Sequence, residues 1–396
     1  MNREHIKTRI FSVIAIICIA FFLAACGVGV GTFVVDLDAD NDGIPDVDDS
    51  FPNDANIFAS FISPAVSLQA LFQGSFCIPL DISHNGEVVG FSEILPGLPV
   101  VAVQWVVEAD GFSNGLPIQL NPVLGMSSID FSTARSVNDF GQIAGEAEVN
   151  LAGDLAAVLW NDIFSPAEPL PLLGAPGTFS AAFDINNNGQ IVGEAENNFF
   201  QVQAVIWTVD PTGFVISGPF GLGNLPGGTE SSAFSINELG AVVGEAVDSV
   251  GVIHAVLWEP NTVGGFNIID LGFPEDFGSR ALSINENNEV VGEVEVALGE
   301  IHAAHWVLQG TILTRTDLGI TGFDSSANDI DDSNRVVGFA NITGTDLAAV
   351  WDTRSIDFSN FNLILDGLAF SQANSINSLG QVVGRLGSIG FAATPE

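Results

Sequence analysis

One unit recurs seven times along this chain, and that repetition constrains the fold more than any other feature. The motif Ser-Ile-Asn-x-x-Gly-Gln-Val-Val-Gly appears at Asp81–Gly90, Ser136–Gly145, Asp184–Gly193, Ser235–Gly244, Ser283–Gly292, Asp329–Gly338 and Ser375–Gly384, with starts 46 to 55 residues apart. An Ala-Val-Leu-Trp motif follows 13 to 15 residues after the closing glycine and ends at Trp105, Trp160, Trp207, Trp258, Trp306 and Trp351, which are all six tryptophans of the chain. The seventh copy is degenerate and is aligned as Phe391-Ala392-Ala393-Thr394. A third landmark, usually Leu-Gly, falls at Gly74, Gly125, Gly174, Gly223, Gly272, Gly319 and Gly367. Residues that recur at one position per unit are expected to be packing residues, the tryptophans and the Asn of each turn included.

Each unit reads as four short strands. A strand of small residues such as Ser231–Ile236 runs into an Asn-x-x-Gly turn, whose Asn and Gly tolerate the positive φ of a tight hairpin. The Val-Val-Gly strand follows, then the strand ending in Trp, then a strand such as Phe266–Leu271. No 3.6-residue periodicity of useful length follows residue 64. Four strands per unit of about 49 residues indicate an all-β, seven-bladed β-propeller with four-stranded blades. If the small-residue strand is innermost, the last unit (371–394) lacks an outer strand, and the first stretch (64–74) is a surplus one. Residues 64–74 are therefore expected to complete the C-terminal blade and close the ring. The rival is an open β-solenoid, which would need capped ends.

The pairing of Ile-Asn-x-x-Gly-x-Val-Val-Gly with His-Ala-x-x-Trp, as in His254–Trp258, resembles the extracellular HAF repeat family of bacteria. The resemblance spans residues 64–394 and implies a propeller-like repeat domain over 64–396. It carries no established activity.

The opening residues read differently. A basic start (1–9) precedes the 14-residue apolar run Ile10–Leu23, too short for an ordinary bilayer span and fitting a signal-peptide core. The run ends in Leu23-Ala24-Ala25-Cys26-Gly27, which resembles a bacterial lipobox. The resemblance implies a lipoprotein signal peptide over 1–25, cleavage before Cys26 and lipid on Cys26. It also implies a lipidated tether over 26–35 and a Gram-negative outer membrane, facing the periplasm or the cell surface. An uncleaved helix is the alternative. With Cys18 in the signal and Cys26 acylated, Cys77 is left alone, which excludes an intrachain disulfide and suits a small buried residue.

Residues 36–54 (DLDADNDGIPDVDDSFPND) hold eight Asp. Asp38, Asp40, Asp42, Asp46 and Asp49 stand at positions 1, 3, 5, 9 and 12 of a D-x-D-x-D-G loop. Gly43 supplies the sharp turn and the carbonyl of Ile44 a further oxygen. Ca2+ is the expected cofactor. The segment resembles a thrombospondin type 3 repeat, which adds Asp36 and Asp48 as ligand candidates. A connector (55–63) links it to the repeats.

Composition narrows function further. The formal net charge is −39, and Lys7 is the one lysine. Without the basic start, six Arg face 47 carboxylates. Binding through phosphate neutralisation is excluded, as is lysine chemistry, so nucleic acid is not a partner. The residue after each Val-Val-Gly glycine breaks the repeat: Phe91, Glu146, Glu194, Glu245, Glu293, Phe339 and Arg385. Four carboxylates on consecutive blades opposite Arg385 form either a one-sided cation or ligand face or a set of solvated strand ends. His254 and His302 share a repeat position and are expected to be scaffold. A non-catalytic binding, adhesion or structural module of the envelope is the favoured function, as a monomer with an unknown glycan or protein ligand. An extracytoplasmic propeller hydrolase or lyase acting on glycans is the alternative.

Overall fold

The computed structural model describes residues 66–71, 74–106, 116–174, 179–319, 322–341, 344–353, 362–363 and 370–393. The expected signal peptide, Cys26, the tether, the acidic segment 36–54 and the connector lie outside the described residues.

The repeat folds into seven small sheets, one per unit, each built as inner, second, third and outer strand. Blade 4 is representative, with strands Ser231–Ile236, Val242–Val247, Ile253–Pro260 and Phe266–Asp270 in meander order. The inner strands are Cys77–Ile82, Ser132–Val137, Ser180–Ile185, Ser231–Ile236, Gly278–Ile284, Ser325–Ile330 and Ser371–Ile376. Each adjoins the inner strand of the blade before and after it, and the last adjoins the first, so the ring closes as a seven-bladed β-propeller. Blade 2 departs from the pattern: Asn121–Val123, in the connection from blade 1, adds a fifth strand parallel to Pro166–Pro169.

Closure comes from the first described strand. Val66–Leu68 pairs antiparallel with Ile389–Ala393 (Val66↔Ala392, Ser67↔Phe391, Leu68↔Gly390) and supplies the outer strand of the C-terminal blade. The pairing also corrects the alignment of the seventh copy. Ala393 faces Val382 as Trp351 faces Val336, so Ala393 stands in the tryptophan position, not Thr394.

The second-strand glycine has a steric cause. In all seven inner strands the register slips by one residue just before the turn, leaving Leu80, Arg135, Phe183, Phe234, Leu282, Asn328 or Asn374 as the extra residue of a bulge. The bulged strand presses a carbonyl onto the facing second strand. A Cβ on Gly90, Gly145, Gly193, Gly244, Gly292, Gly338 or Gly384 would lie 1.9 to 2.1 Å from that oxygen. Only glycine fits there.

The tryptophans are buried between neighbouring blades, among valine, isoleucine and alanine. Five indole N–H groups donate to backbone carbonyls at 2.7 to 3.2 Å, four across a blade boundary (Trp105 to Gln69 O, Trp207 to Pro171 O, Trp258 to Gly223 O and Trp351 to Leu318 O) and Trp160 to Asn121 O on the added strand of its own blade. These five buried indoles satisfy their one donor in this way, whereas Trp306 Nε1 has no partner among the described residues.

Two further belts stitch the ring. Turn Asn side chains donate to the same turn of the next blade: Asn138 to Asn186 O, Asn186 to Asn237 O, Asn237 to Asn285 O, Asn285 to Asp331 O and Asn377 to Ser83 O, at 2.9 to 3.2 Å. The Asn oxygen meanwhile accepts from its own turn, as Asn237 does from Ala241 N. Serines at the start of six inner strands (Ser132, Ser180, Ser231, Ser325 and Ser371 as first residue, Ser279 as second) each accept from an Ala N–H of the preceding blade at 2.9 to 3.0 Å. At the closing seam Cys77 takes that place. Its sulfur accepts from Gly390 N–H and donates to Leu68 O, and burial pushes its thiol up to about 11. Cys77 is thus an inert seam residue.

Asn237→Ala is expected to cost about 2 kcal/mol, because buried backbone groups on two blades lose partners at once. Asn287→Ala in an exposed turn is expected to cost about 0.5 kcal/mol. Urea unfolding of the two variants measures the difference.

Candidate functional site: the arc of the central channel

The free edge of each inner strand faces the ring axis. The bulge residues stand on that edge, and each remains partly exposed where most of the strand is buried. Their identity changes around the ring: Arg135, Phe183 and Phe234 on blades 2 to 4, then Leu282, Asn328, Asn374 and Leu80. The Arg135 guanidinium lies 5.6 Å from the centroid of the Phe183 ring, and that ring is 5.7 Å from Phe234, tilted by 55°. A continuous Arg–Phe–Phe wall results. On the far side Asn374 and Asn328 commit their amide N–H to Pro79 O and Ala373 O, both at 2.7 Å.

The four glutamates meet this wall. Each faces the second residue of its own inner strand, as in Thr133↔Glu146 and Ala181↔Glu194. They are not solvated strand ends. Glu146 is buried and accepts from Arg135 Nη2 at 2.6 Å. Glu194 accepts from the Ser232 hydroxyl of the next blade at 2.5 Å, and Glu245 from Arg280 Nε of the next blade at 2.7 Å. Burial pushes the Glu194 carboxyl up to about 7, with the charges of Glu245 and Glu146 adding to the effect and the Ser232 hydrogen bond opposing it. Burial likewise raises Glu293, against the Ser326 hydrogen bond and the Arg280 charge. Four carboxylates and two guanidinium groups, Arg135 and Arg280, therefore share one arc.

Arg385 does not face that arc as a free cation. It is buried, donates from Nε and Nη2 to Gln372 Oε1 at 3.1 and 2.8 Å, and lies 4.5 Å from the Phe370 ring centroid.

Nearer the turn end, three inner-strand aspartates span blade boundaries. Asp81 accepts from Val137 N and Ser375 Oγ, both at 2.9 Å. Asp184 accepts from Ser136 Oγ and Ile236 N at 2.7 and 2.8 Å. Asp329 accepts from Ser283 Oγ and Ile376 N at 2.6 and 2.8 Å, and its carboxyl shares the one Ser375 hydroxyl with Asp81, each at 2.9 Å. Burial, reinforced by the Asp81 charge, pushes Asp184 up to about 6 and Asp329 to about 7. The sequence carried a signal for this belt: three copies of the motif open on Asp and four on Ser. The bulge residues had none, because the register slip that turns them to the axis depends on backbone pairing.

The histidines are held by carboxylates. His254 Nδ1 lies 2.9 Å from Asp270 Oδ1, and His302 lies 2.9 Å from Asp317 and 3.1 Å from Glu300. Gly272 and Gly319 leave room for these rings, since a Cβ there would sit 2.6 or 2.4 Å from them. Among the described residues no group of three or more His, Cys, Asp and Glu is placed to hold a metal ion. The expected calcium ligands Asp36, Asp38, Asp40, Asp42, Ile44, Asp46, Asp48 and Asp49 lie outside those residues.

Asp184, Asp329 and Glu194 have folded-state pKa values above those of the unfolded chain. The fold therefore binds more protons than the unfolded chain between about pH 4 and 7, and stability must fall as pH rises through that window. The urea midpoint is expected to be higher at pH 5 than at pH 8, with a shallower pH dependence in Asp329→Asn. A midpoint that rises with pH over this range would contradict the placement of these carboxyls.

The fold and the channel define a β-propeller repeat protein of seven four-stranded blades. No family model and no curated protein matches the chain. Solved structures similar in fold include TolB from Acinetobacter baumannii, at 14% identity and TM-score 0.42 over 68% of this chain and 61% of that one. The Hadza microbial sialidase Hz136 is similar at 10% identity and TM-score 0.42, over 83% of this chain and 68% of that one. A mutant of the Aleuria aurantia lectin AAL in complex with Fucalpha1-6GlcNAc is similar at 12% identity and TM-score 0.37, over 74% of this chain and 95% of that one. These likenesses concern the fold alone.

Proposed function

We propose that this chain is a lipid-anchored, calcium-binding extracytoplasmic repeat protein of the HAF kind, whose propeller acts as a non-catalytic binding module of the bacterial envelope. One observation carries the reading. The seven units agree where they pack and differ where the channel opens, and the difference is polarised, with Arg135, Phe183, Phe234, Glu146, Glu194 and Glu245 on consecutive blades. A scaffold selected for ring stability alone has no need of that asymmetry. The Phe faces suit the apolar side of a sugar ring or peptide, and the carboxylates accept hydrogen bonds from its hydroxyl or amine groups. In this reading Cys26 carries the lipid that holds the protein at the outer membrane, and residues 36–54 bind Ca2+ as a stiffened spacer.

Binding of the full chain to a glycan array, with and without calcium, is the test. Phe234→Ala is expected to weaken binding about tenfold, which is about 1.4 kcal/mol, without changing the melting transition. Glu194→Gln is the suitable partner variant, since charge reversal would place a lysine between blades. Unchanged binding in both variants would remove the channel arc as the site.

A hydrolytic reading rests on a single feature, the Glu194 carboxyl raised to about 7 beside the Glu146 and Glu245 charges. Carboxyl pairs with separated pKa values perform acid–base work in glycoside hydrolysis. Release of reducing ends from a polysaccharide, abolished by Glu194→Gln, would favour it over binding.

A further inference from the structure

The rim of blade 3 is unlike the rims of blades 4 and 5. Its outer strand, Val215–Gly221, together with the turn before it, exposes Phe214, Ile216 and Phe220 at 69%, 61% and 61%. Val215 packs inward against the blade 3 core, so Phe214 and Ile216 fall on the opposite side. Phe220 takes that same side through its pairing with Ile206, whose side chain is buried toward blade 4. The corresponding strand of blade 4 keeps Phe266, Ile268 and Ile269 half-buried, and that of blade 5 exposes Ile312 alone. Three large apolar side chains along seven residues form a patch rather than scattered exposure.

Charge decides the occupant. Residues 211–229 contain no ionisable side chain, in a chain with 48 carboxylates and a net charge of −39. The outer strands of blades 4 and 5 carry Asp270, and Arg315 with Asp317. A partner of opposite charge would gain from acidic groups around the patch. A like-charged partner needs them absent. A contact across a two-fold axis sets the same patch of both molecules face to face, so a charge-free strip is where two molecules of this protein approach with least repulsion.

We propose that a second copy of this chain docks on the blade 3 rim, through Phe214, Ile216 and Phe220. The contact is made by side chains. A bulge and Pro219, which has no N–H, interrupt the strand edge and disfavour continuous backbone pairing. This departs from the monomer expected from the sequence.

Sedimentation of the full chain in mild detergent tests it. The protein mass per particle is expected to double between about 1 and 100 µM, as a small apolar interface implies, and the dimer fraction to rise with salt as like charges are screened. Phe220→Glu should hold the chain monomeric throughout, while Val263→Glu on an exposed turn of blade 4 should not. Should Phe220→Glu fail to fold, Phe220→Cys is expected to give an oxidised homodimer in cell membranes where Val263→Cys gives none. A wild-type chain that stays monomeric at 100 µM, or equal cross-linking at both cysteines, overturns the proposal.

Discussion

Gly244→Ala is expected to destabilise the propeller by about 3 kcal/mol or more, although it adds one methyl group. That methyl would sit 2.0 Å from Ser232 O, and both strands are pinned. The inner strand is fixed by its bulge, by Ser231 on the preceding blade and by the Asn237 turn. The second strand is fixed by its pairing with Ile253–Pro260. Neither backbone can retreat without breaking hydrogen bonds to a neighbour, so the cost falls in the upper range of overpacking effects. Gly221→Ala is the control. A Cβ there meets nothing within 4 Å and its φ is ordinary, so a change within about 0.5 kcal/mol is expected. Equal urea midpoints for the two variants would show that the glycine of the repeat has another cause.

The second large effect lies at the seam. Leu68 is buried against Cys77, Ile82, Val88, Trp105 and Val383, and so joins the chain's first described strand to blades 1 and 7. Leu68→Asp would bury a carboxylate in an apolar cluster. A cost of about 4 kcal/mol or more is expected, enough to release the three-residue strand Val66–Leu68 and open the ring. Cys77 reports the event. Its thiol is withdrawn from water in the closed ring and unreactive. Thiol labelling is expected to be slow in the wild-type chain and fast in Leu68→Asp. Equally slow labelling in a variant that remains folded would contradict closure by this strand.

Most of the architecture was legible because it is written seven times. The tryptophan spacing, the Asn-x-x-Gly turns and the phase of the first and last units were enough to give blade number, strand order and the closing strand. Cys77 was legible as a buried residue, but its role as the seam's substitute for serine was not, because that depends on which blade it meets. The channel was only half legible. The glutamates stood out as breaks in the repeat, yet their burial and their partners come from packing, with Arg135 beside Glu146 through the bulge of its own blade and Ser232 and Arg280 reaching Glu194 and Glu245 from the next blade. Arg385 looked like their counterpart by spacing and instead turns into its own blade toward Gln372. The axis-facing residues were hidden because a one-residue bulge exchanges the faces of the inner strand, and alternation alone cannot locate it.

A closed seven-bladed ring underlies every other inference, and a cysteine pair at the seam tests it most directly. Val66 and Ala392 are directly paired across the closing strands. In the full chain carrying Val66→Cys and Ala392→Cys, mild oxidation is expected to form an intramolecular disulfide, seen as a shift in gel mobility that reduction reverses and that neither single variant shows. Val66→Cys with Ala348→Cys, which lies on the third strand of blade 6, is expected to form none. A seam pair that stays reduced, or that links only between chains, would mean that the repeats do not close on themselves.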